Sequence, residues 1–278
     1  KNIFVYYKIM SFKSIPNKKP TEVKGVNFSS DSGDISFIPP EPLHYGRNMC
    51  IYICGGVGSG KTSLLMSLLH AKGHKKKNSN EKHARFFWKV FNKVYMMSAS
   101  LGTMDLDKIK VPEDQIFGDY DPEILQTIID DEKDSEENNN TLIVIDDCIK
   151  SINNSRNKLA ETTLCRAIIN RRHCCVHNDG PKGGGLSLIL TSQKYNFLLY
   201  SVRANISHLC VFRTNNNKEK QNIFEEYCND LSDKGFHKLL DYVWDKPYQF
   251  LFIDINQPTS KKYYKNFDLI IIPDEFLS

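Results

Sequence analysis

The residues best equipped for chemistry stand close together. Gly55-Gly56-Val57-Gly58-Ser59-Gly60-Lys61-Thr62 is a complete G-x-x-x-x-G-K-[ST] sequence, followed by Ser63. Glycines let a backbone wrap closely on phosphate, so that successive N–H groups and the start of the next helix face the anion. In such a loop Lys61 bridges the β- and γ-phosphates and the Thr62 hydroxyl ligates Mg2+. The implied ligand is a magnesium nucleoside triphosphate. No N-K-x-D-type guanine reader occurs in the chain, which favours ATP. The competing reading, a glycine-rich turn with no ligand, explains partial matches better than this complete one.

A second group closes an apolar run. Leu142-Ile143-Val144-Ile145 leads into Asp146-Asp147 and so delivers two carboxylates at the end of a strand. Set beside the strand that feeds the phosphate loop, it would put Asp146 in the coordination shell of Mg2+ through water, because that ion keeps several waters. Asp147 could then polarise the attacking water. Which aspartate does which job stays open, and such a run can also simply cap a helix. Gln193 follows the apolar run Leu186–Leu190 through Thr191 and Ser192. Its amide could sense the γ-phosphate or orient the water, or it could be a turn glutamine.

These side chains need elements to hold them. Met49–Cys54 is an apolar, partly β-branched run ending in glycines, the pattern of a buried strand that empties into a loop. Leu64, Leu65, Leu68 and Leu69 then recur at helical spacing. Further strands are predicted at Val94–Met97, Leu142–Ile145, Leu186–Leu190, His208–Phe212 and Phe250–Ile255. Helices are predicted over 121–130, with Asp121 as N-cap and Pro122 at the first position, and over 158–172 and 218–231. The acidic, Asn-rich Asp130–Asn140 reads as a solvated loop. Strands alternating with helices throughout imply an α/β fold, a mostly parallel central sheet with helices on both faces and ligands at the carboxyl ends of its strands. Residues 1–48, which include Pro39-Pro40-Glu41-Pro42, read as an N-terminal arm or adaptor, and 49–278 as the nucleotide-binding domain.

Composition narrows the class. The 278 residues are 40% hydrophobic and 25% charged, ordinary for a globular enzyme, and no run approaches the ~18 apolar residues of a membrane span. No membrane association is expected. Residues 1–10 lack a secretory signal pattern, and several of the eight cysteines sit in apolar runs, as reduced thiols do. The net charge of +4 permits a polyanionic partner without requiring one.

On the phosphate loop, Asp146-Asp147, Arg172-His173, and Thr191-Ser192-Gln193-Lys194-Tyr195 followed by Arg203, Asn205 and Phe212, residues 49–255 resemble the poxvirus-type DNA-packaging ATPases of large DNA viruses and their relatives. This family lies in the FtsK–HerA superfamily of P-loop ATPases. The chain departs from the family pattern at Leu199, where a proline is common. The resemblance implies a P-loop NTPase fold of RecA/FtsK–HerA type. It also implies a homo-oligomeric ring that couples ATP hydrolysis to moving double-stranded DNA into a preformed capsid, with capsid or portal-vertex proteins as partners. The site of action would be the host-cell cytoplasm or the virion. Carried over, Gln193 looks like the polar sensor, and Arg203 like an arginine finger reaching a neighbouring subunit's nucleotide. Arg172 is the rival finger, and an ordinary ion pair is the bland reading of either.

Weaker constellations stand beside these. His173-Cys174-Cys175-Val176-His177 holds soft ligands but lacks the paired C-x-x-C spacing of structural zinc sites. Lys75-Lys76-Lys77 and the loop Lys182-Gly183-Gly184-Gly185 could touch DNA phosphates, or could be solvated insertions. Two other functions fit the loop: a nucleotide-gated assembly switch that moves nothing, and a small-molecule kinase. The chain shows no Arg-rich lid of the kind a kinase needs.

Overall fold

The computed structural model describes residues 13–15, 42–43, 48–69, 87, 90–104, 111–135, 140–152, 158–174 and 185–278. The strands are β1 (Lys13–Ile15), β2 (Cys50–Cys54), β3 (Lys93–Ser98), β4 (Ile116–Phe117), β5 (Asn140–Asp146), β6 (Gly185–Ser192), β7 (His208–Phe212), β8 (Phe250–Asp254), β9 (Tyr263–Lys265) and β10 (Asp268–Ile271). The helices are α1 (Lys61–Leu69), α2 (Pro122–Asp134), α3 (Ile149–Ile152), α4 (Lys158–Ile169), α5 (Tyr200–Arg203), α6 (Asn217–Tyr227) and α7 (Asp233–Val243).

All ten strands form one sheet, in the order β1-β10-β9-β8-β7-β2-β6-β5-β3-β4. From β7 to β4 the neighbours run parallel, with β2 at the centre between β7 and β6. Strands β2, β5 and β7 are buried at every position, which is why each reads as an unbroken apolar run and not as an alternation. Side chains nevertheless alternate between two cores. Tyr52, Cys54, Ile143, Ile145, Leu188 and Leu190 pack on one face against α2, α4, α6 and α7. Ile51, Ile53, Leu142, Val144 and Ile189 pack on the other, where Leu64, Leu65 and Leu68 of α1 cover them. Helices therefore lie on both faces, as the alternation implied.

Local chemistry sets the helix starts. The Asp121 carboxylate accepts from the Glu123 and Ile124 amides and Pro122 opens α2, Asn216 caps α6, and the Ser232 hydroxyl accepts from the Gly235 amide at the start of α7.

Three expectations are corrected. The parallel alternation stops at β7, because β8, β9, β10 and β1 add to the sheet antiparallel. Residues 130–134 belong to α2, not to a solvated loop: Glu132 is buried and accepts the Tyr95 hydroxyl at 2.7 Å. The strand that ends in Asp146 does not lie beside β2, since β6 is interposed. Of residues 1–48, Lys13–Ile15 pairs with β10 and Leu43 lies in the core facing α1. The basic segment 71–83 lies outside the described residues.

Candidate nucleotide site

The phosphate loop leaves the buried end of β2 and enters α1 at Lys61. The amide of Gly55 donates to Ser192 O at 3.2 Å, which ties the loop's first residue to the end of β6. A Cβ at Gly55 would lie 2.6 Å from Phe212 Cβ, so only glycine fits there. Gly58 and Gly60 take φ of 72° and 106°, a region open to glycine at no steric cost. Val57 is 85% exposed at the tip. The Lys61 side chain is buried along the loop and its Nζ donates to Gly55 O at 2.8 Å and Gly56 O at 3.2 Å, while Thr62 and Ser63 are exposed at the start of α1. The loop, Phe212, Tyr248, Gln249, Phe250 and Asn266 line a cleft of about 620 Å3.

Strand parity explains how the acids are presented. Asp146 shares a face with Leu142 and Val144, the face covered by α1, as does Thr191 with Ile189. Asp146 is buried, and three hydroxyls hold its carboxylate. Ser98 and Ser100 donate to Oδ2 at 2.9 and 2.7 Å, and Thr191 donates to Oδ1 at 2.7 Å. A carboxylate has about four lone-pair sites, so about one remains for another donor. Because β6 intervenes, strand spacing puts Asp146 roughly 10 Å from the register of Ile53.

Asp147 lies just past the strand with φ of 53°, a left-handed conformation that Asp tolerates better than most residues. Its amide donates to Thr191 Oγ1 at 3.1 Å. The exposed Gln193 amide donates to its Oδ2 at 3.4 Å, so the structure brings the second acid and the sensor candidate together at the ends of β5 and β6.

On the opposite face, Tyr52 braces this end of β6. Its hydroxyl meets the Ser192 hydroxyl and donates towards Lys194 O (3.0 Å) and Tyr195 O (2.9 Å), with the phenol pushed well above its ordinary pKa by burial. Sequence reading missed Tyr52, Ser98 and Ser100. The signal for Tyr52 was a phenol inside a wholly buried strand, which must find a polar partner.

Arg203, the finger candidate, is paired within its own chain. It is 7% exposed, Nε and Nη2 pair with the two Glu226 oxygens at 3.0 and 2.7 Å, and Nη1 donates to Leu198 O. The guanidinium also lies 4.8 Å from the Tyr195 ring centroid, and the Tyr195 hydroxyl donates to Glu226 at 2.6 Å. Burial works against the charge, yet the Glu226 carboxylate and Tyr195 keep the pKa above its ordinary value. This arginine is engaged within its own subunit. Arg172, the rival, is exposed between α4 and β6.

The donor set suits Mg-ATP. Ser59 Oγ is buried in the loop with no hydrogen-bond partner, the glycines leave a cradle that side chains would fill, and Thr62 and Asp146 supply the hard oxygens that magnesium prefers. Among the described residues no cluster of three His, Cys, Asp or Glu could hold a metal by itself, and of the zinc candidates only His173 and Cys174 are described. No helix among the described residues is long and apolar enough to cross a membrane.

No family model and no curated protein matches the chain. Among solved structures, the DNA-packaging ATPase B204 of Sulfolobus Turreted Icosahedral Virus is 17% identical at a TM-score of 0.49, over 82% of this chain and 98% of that one. B204 of Sulfolobus turreted icosahedral virus 2 in complex with ATP-gammaS is 17% identical at 0.48, over 81% and 98%. The pCW3 conjugation coupling protein TcpA, also with ATPgS, is 16% identical at 0.49, over 84% and 63%.

Proposed function

We propose that the chain is an ATPase motor that translocates double-stranded DNA, packaging a viral genome into a preformed capsid as a homo-oligomeric ring. The observation that carries the hydrolytic part is the arrangement at the carboxyl ends of three adjacent strands: the phosphate loop after β2, Gln193 after β6, and Asp146-Asp147 after β5. The loop amides from Gly55 to Ser63, with Lys61, would grip the triphosphate. Mg2+, when bound, offsets charge on the β- and γ-phosphates; Thr62 would ligate it and Asp146 would meet one of its waters. Asp147, held within reach of Gln193, would accept the proton of the attacking water, and Gln193 would orient that water. The three hydroxyls around Asp146 fix its carboxylate in advance, and such preorganisation is where much of the electrostatic stabilisation of a transition state originates.

The DNA-moving part is supported by the sequence resemblance over residues 49–255 and by the net charge of +4. A finger in trans would be Arg203 or its rival Arg172; the pairing of Arg203 with Glu226 favours Arg172. The second reading, a nucleotide-gated assembly switch, shares the phosphate loop but predicts a rate that ignores DNA. ATPase rate measured against double-stranded DNA, alongside molecular mass with and without nucleotide, separates the two. Stimulation in an oligomeric preparation supports the motor, and an oligomer indifferent to DNA supports the switch.

A further inference from the structure

We propose that the Tyr248 ring is the stacking platform for the nucleobase, so that it, and not the phosphate loop, makes the site prefer a nucleotide over a bare polyphosphate. This rests on the nucleotide reading above and assigns the base-binding end of the same cleft.

Tyr248 is 71% exposed, yet its backbone sits at φ of 64°. A bulky residue in this region is a true outlier, and such strain persists where the surroundings hold it in place. Burial does not explain it, because the side chain is mostly in solvent. Its neighbours point to a role instead. A Cβ at Gly60 would lie 3.5 Å from Tyr248 Cδ1, which puts the ring beside the last glycine of the phosphate loop. The ring also lines the cleft that Gly58–Leu64 line. A cleft of about 620 Å3 lies within the ~300–1,000 Å3 of small-molecule sites. A triphosphate seated on the loop would leave the rest of that space for its sugar and base.

The platform is held by its neighbours in the cleft wall. Asn266, itself at φ of 57°, donates its backbone amide to Phe250 O at 2.8 Å and accepts from the Phe250 amide through Oδ1 at 3.1 Å. Its Nδ2 donates to Gln249 Oε1 at 2.6 Å. Phe250 then packs at a tilt against Phe212, the residue that closes against Gly55. The segment 248–250 is thus pinned by residues of the same cleft wall, which leaves the Tyr248 ring exposed beside the phosphate loop. An exposed ring of this kind fits any purine or pyrimidine face, since stacking tolerates base identity.

The test is calorimetric titration of the full chain with Mg-ATP and with magnesium tripolyphosphate, which has the phosphates but no base. Native protein is expected to bind ATP more tightly than tripolyphosphate. Tyr248→Ala should weaken ATP binding by about tenfold with tripolyphosphate affinity unmoved, and Tyr248→Phe should restore it. The inference is overturned if Tyr248→Ala binds ATP as tightly as native protein, or loses both ligands in equal proportion. Native protein that binds neither ligand refutes the nucleotide reading itself, and this inference with it.

Discussion

Thr191 bridges the two acids of the site: its hydroxyl donates to Asp146 Oδ1 at 2.7 Å and accepts from the Asp147 amide at 3.1 Å. One side chain of β6, the strand next to the phosphate-loop strand, therefore fixes both the carboxylate assigned to the metal's water and the turn that aims the carboxylate assigned to the nucleophile.

Thr191→Val keeps the shape and removes the hydroxyl. The buried Asp146 carboxylate loses a donor, a cost of about 1–3 kcal/mol, and the Asp147 turn loses its anchor. Steady-state ATPase should fall at least about tenfold in kcat with little change in ATP affinity, and Thr191→Ser should recover most of it. A Val variant with native turnover would remove Thr191 from the mechanism.

Lys61→Ala and Asp147→Asn should separate binding from hydrolysis. The first removes the cation of the loop and is expected to abolish measurable ATP affinity. The second keeps a residue that tolerates φ of 53° but removes the base. It should bind ATP normally while turnover drops by about 100-fold or more. Equilibrium binding with single-turnover hydrolysis distinguishes the two outcomes.

Arg203→Ala should act on folding and Arg172→Ala on catalysis. Removing Arg203 leaves Glu226 without its bidentate partner and should destabilise the protein by about 3 kcal/mol, read by denaturant melts. Removing the exposed Arg172 should leave the melt unchanged and reduce ATPase only in the assembled oligomer. The opposite pattern would return the finger role to Arg203.

Asp254 gives a pH signature. Burial lifts its pKa to about 6, against a smaller lowering by the Asn256 amide, and His208 Nε2 at 3.8 Å is beyond hydrogen-bonding distance. The folded state therefore binds the proton more tightly than the unfolded one, whose pKa is near 3.9. Stability from this group falls as pH rises from about 4 to about 6 and stays low above that, a swing of up to about 3 kcal/mol. Asp254→Asn should lack that swing, so the melting difference between variant and native should widen in the variant's favour from pH 4.5 to 7. A constant difference would count against it.

The sequence made the phosphate loop, Asp146-Asp147 and Gln193 visible because each stands where an apolar run stops, and that junction is written in the chain itself. The position of β6 between β2 and β5 was not visible, since the order of parallel strands depends on crossovers that no local pattern encodes. Helix α7 carries Phe236, Leu239, Leu240 and Val243 at helical spacing and was legible in principle. The short strands β9 and β10 were not, because strands of three and four residues hold too little pattern to read. The pairing of Arg203 with Glu226 was not visible for a similar reason: the partner comes from a helix 23 positions away.

The pairing of Lys13 with Ile271 has a consequence for biosynthesis. These partners lie far apart in the sequence, so β1 must wait until translation has passed residue 271 before it can dock. Until β1 docks, β10 has an open border, and an open border can recruit another chain. Completion of the sheet thus doubles as a quality check: only a polypeptide translated through residue 271 can seal it.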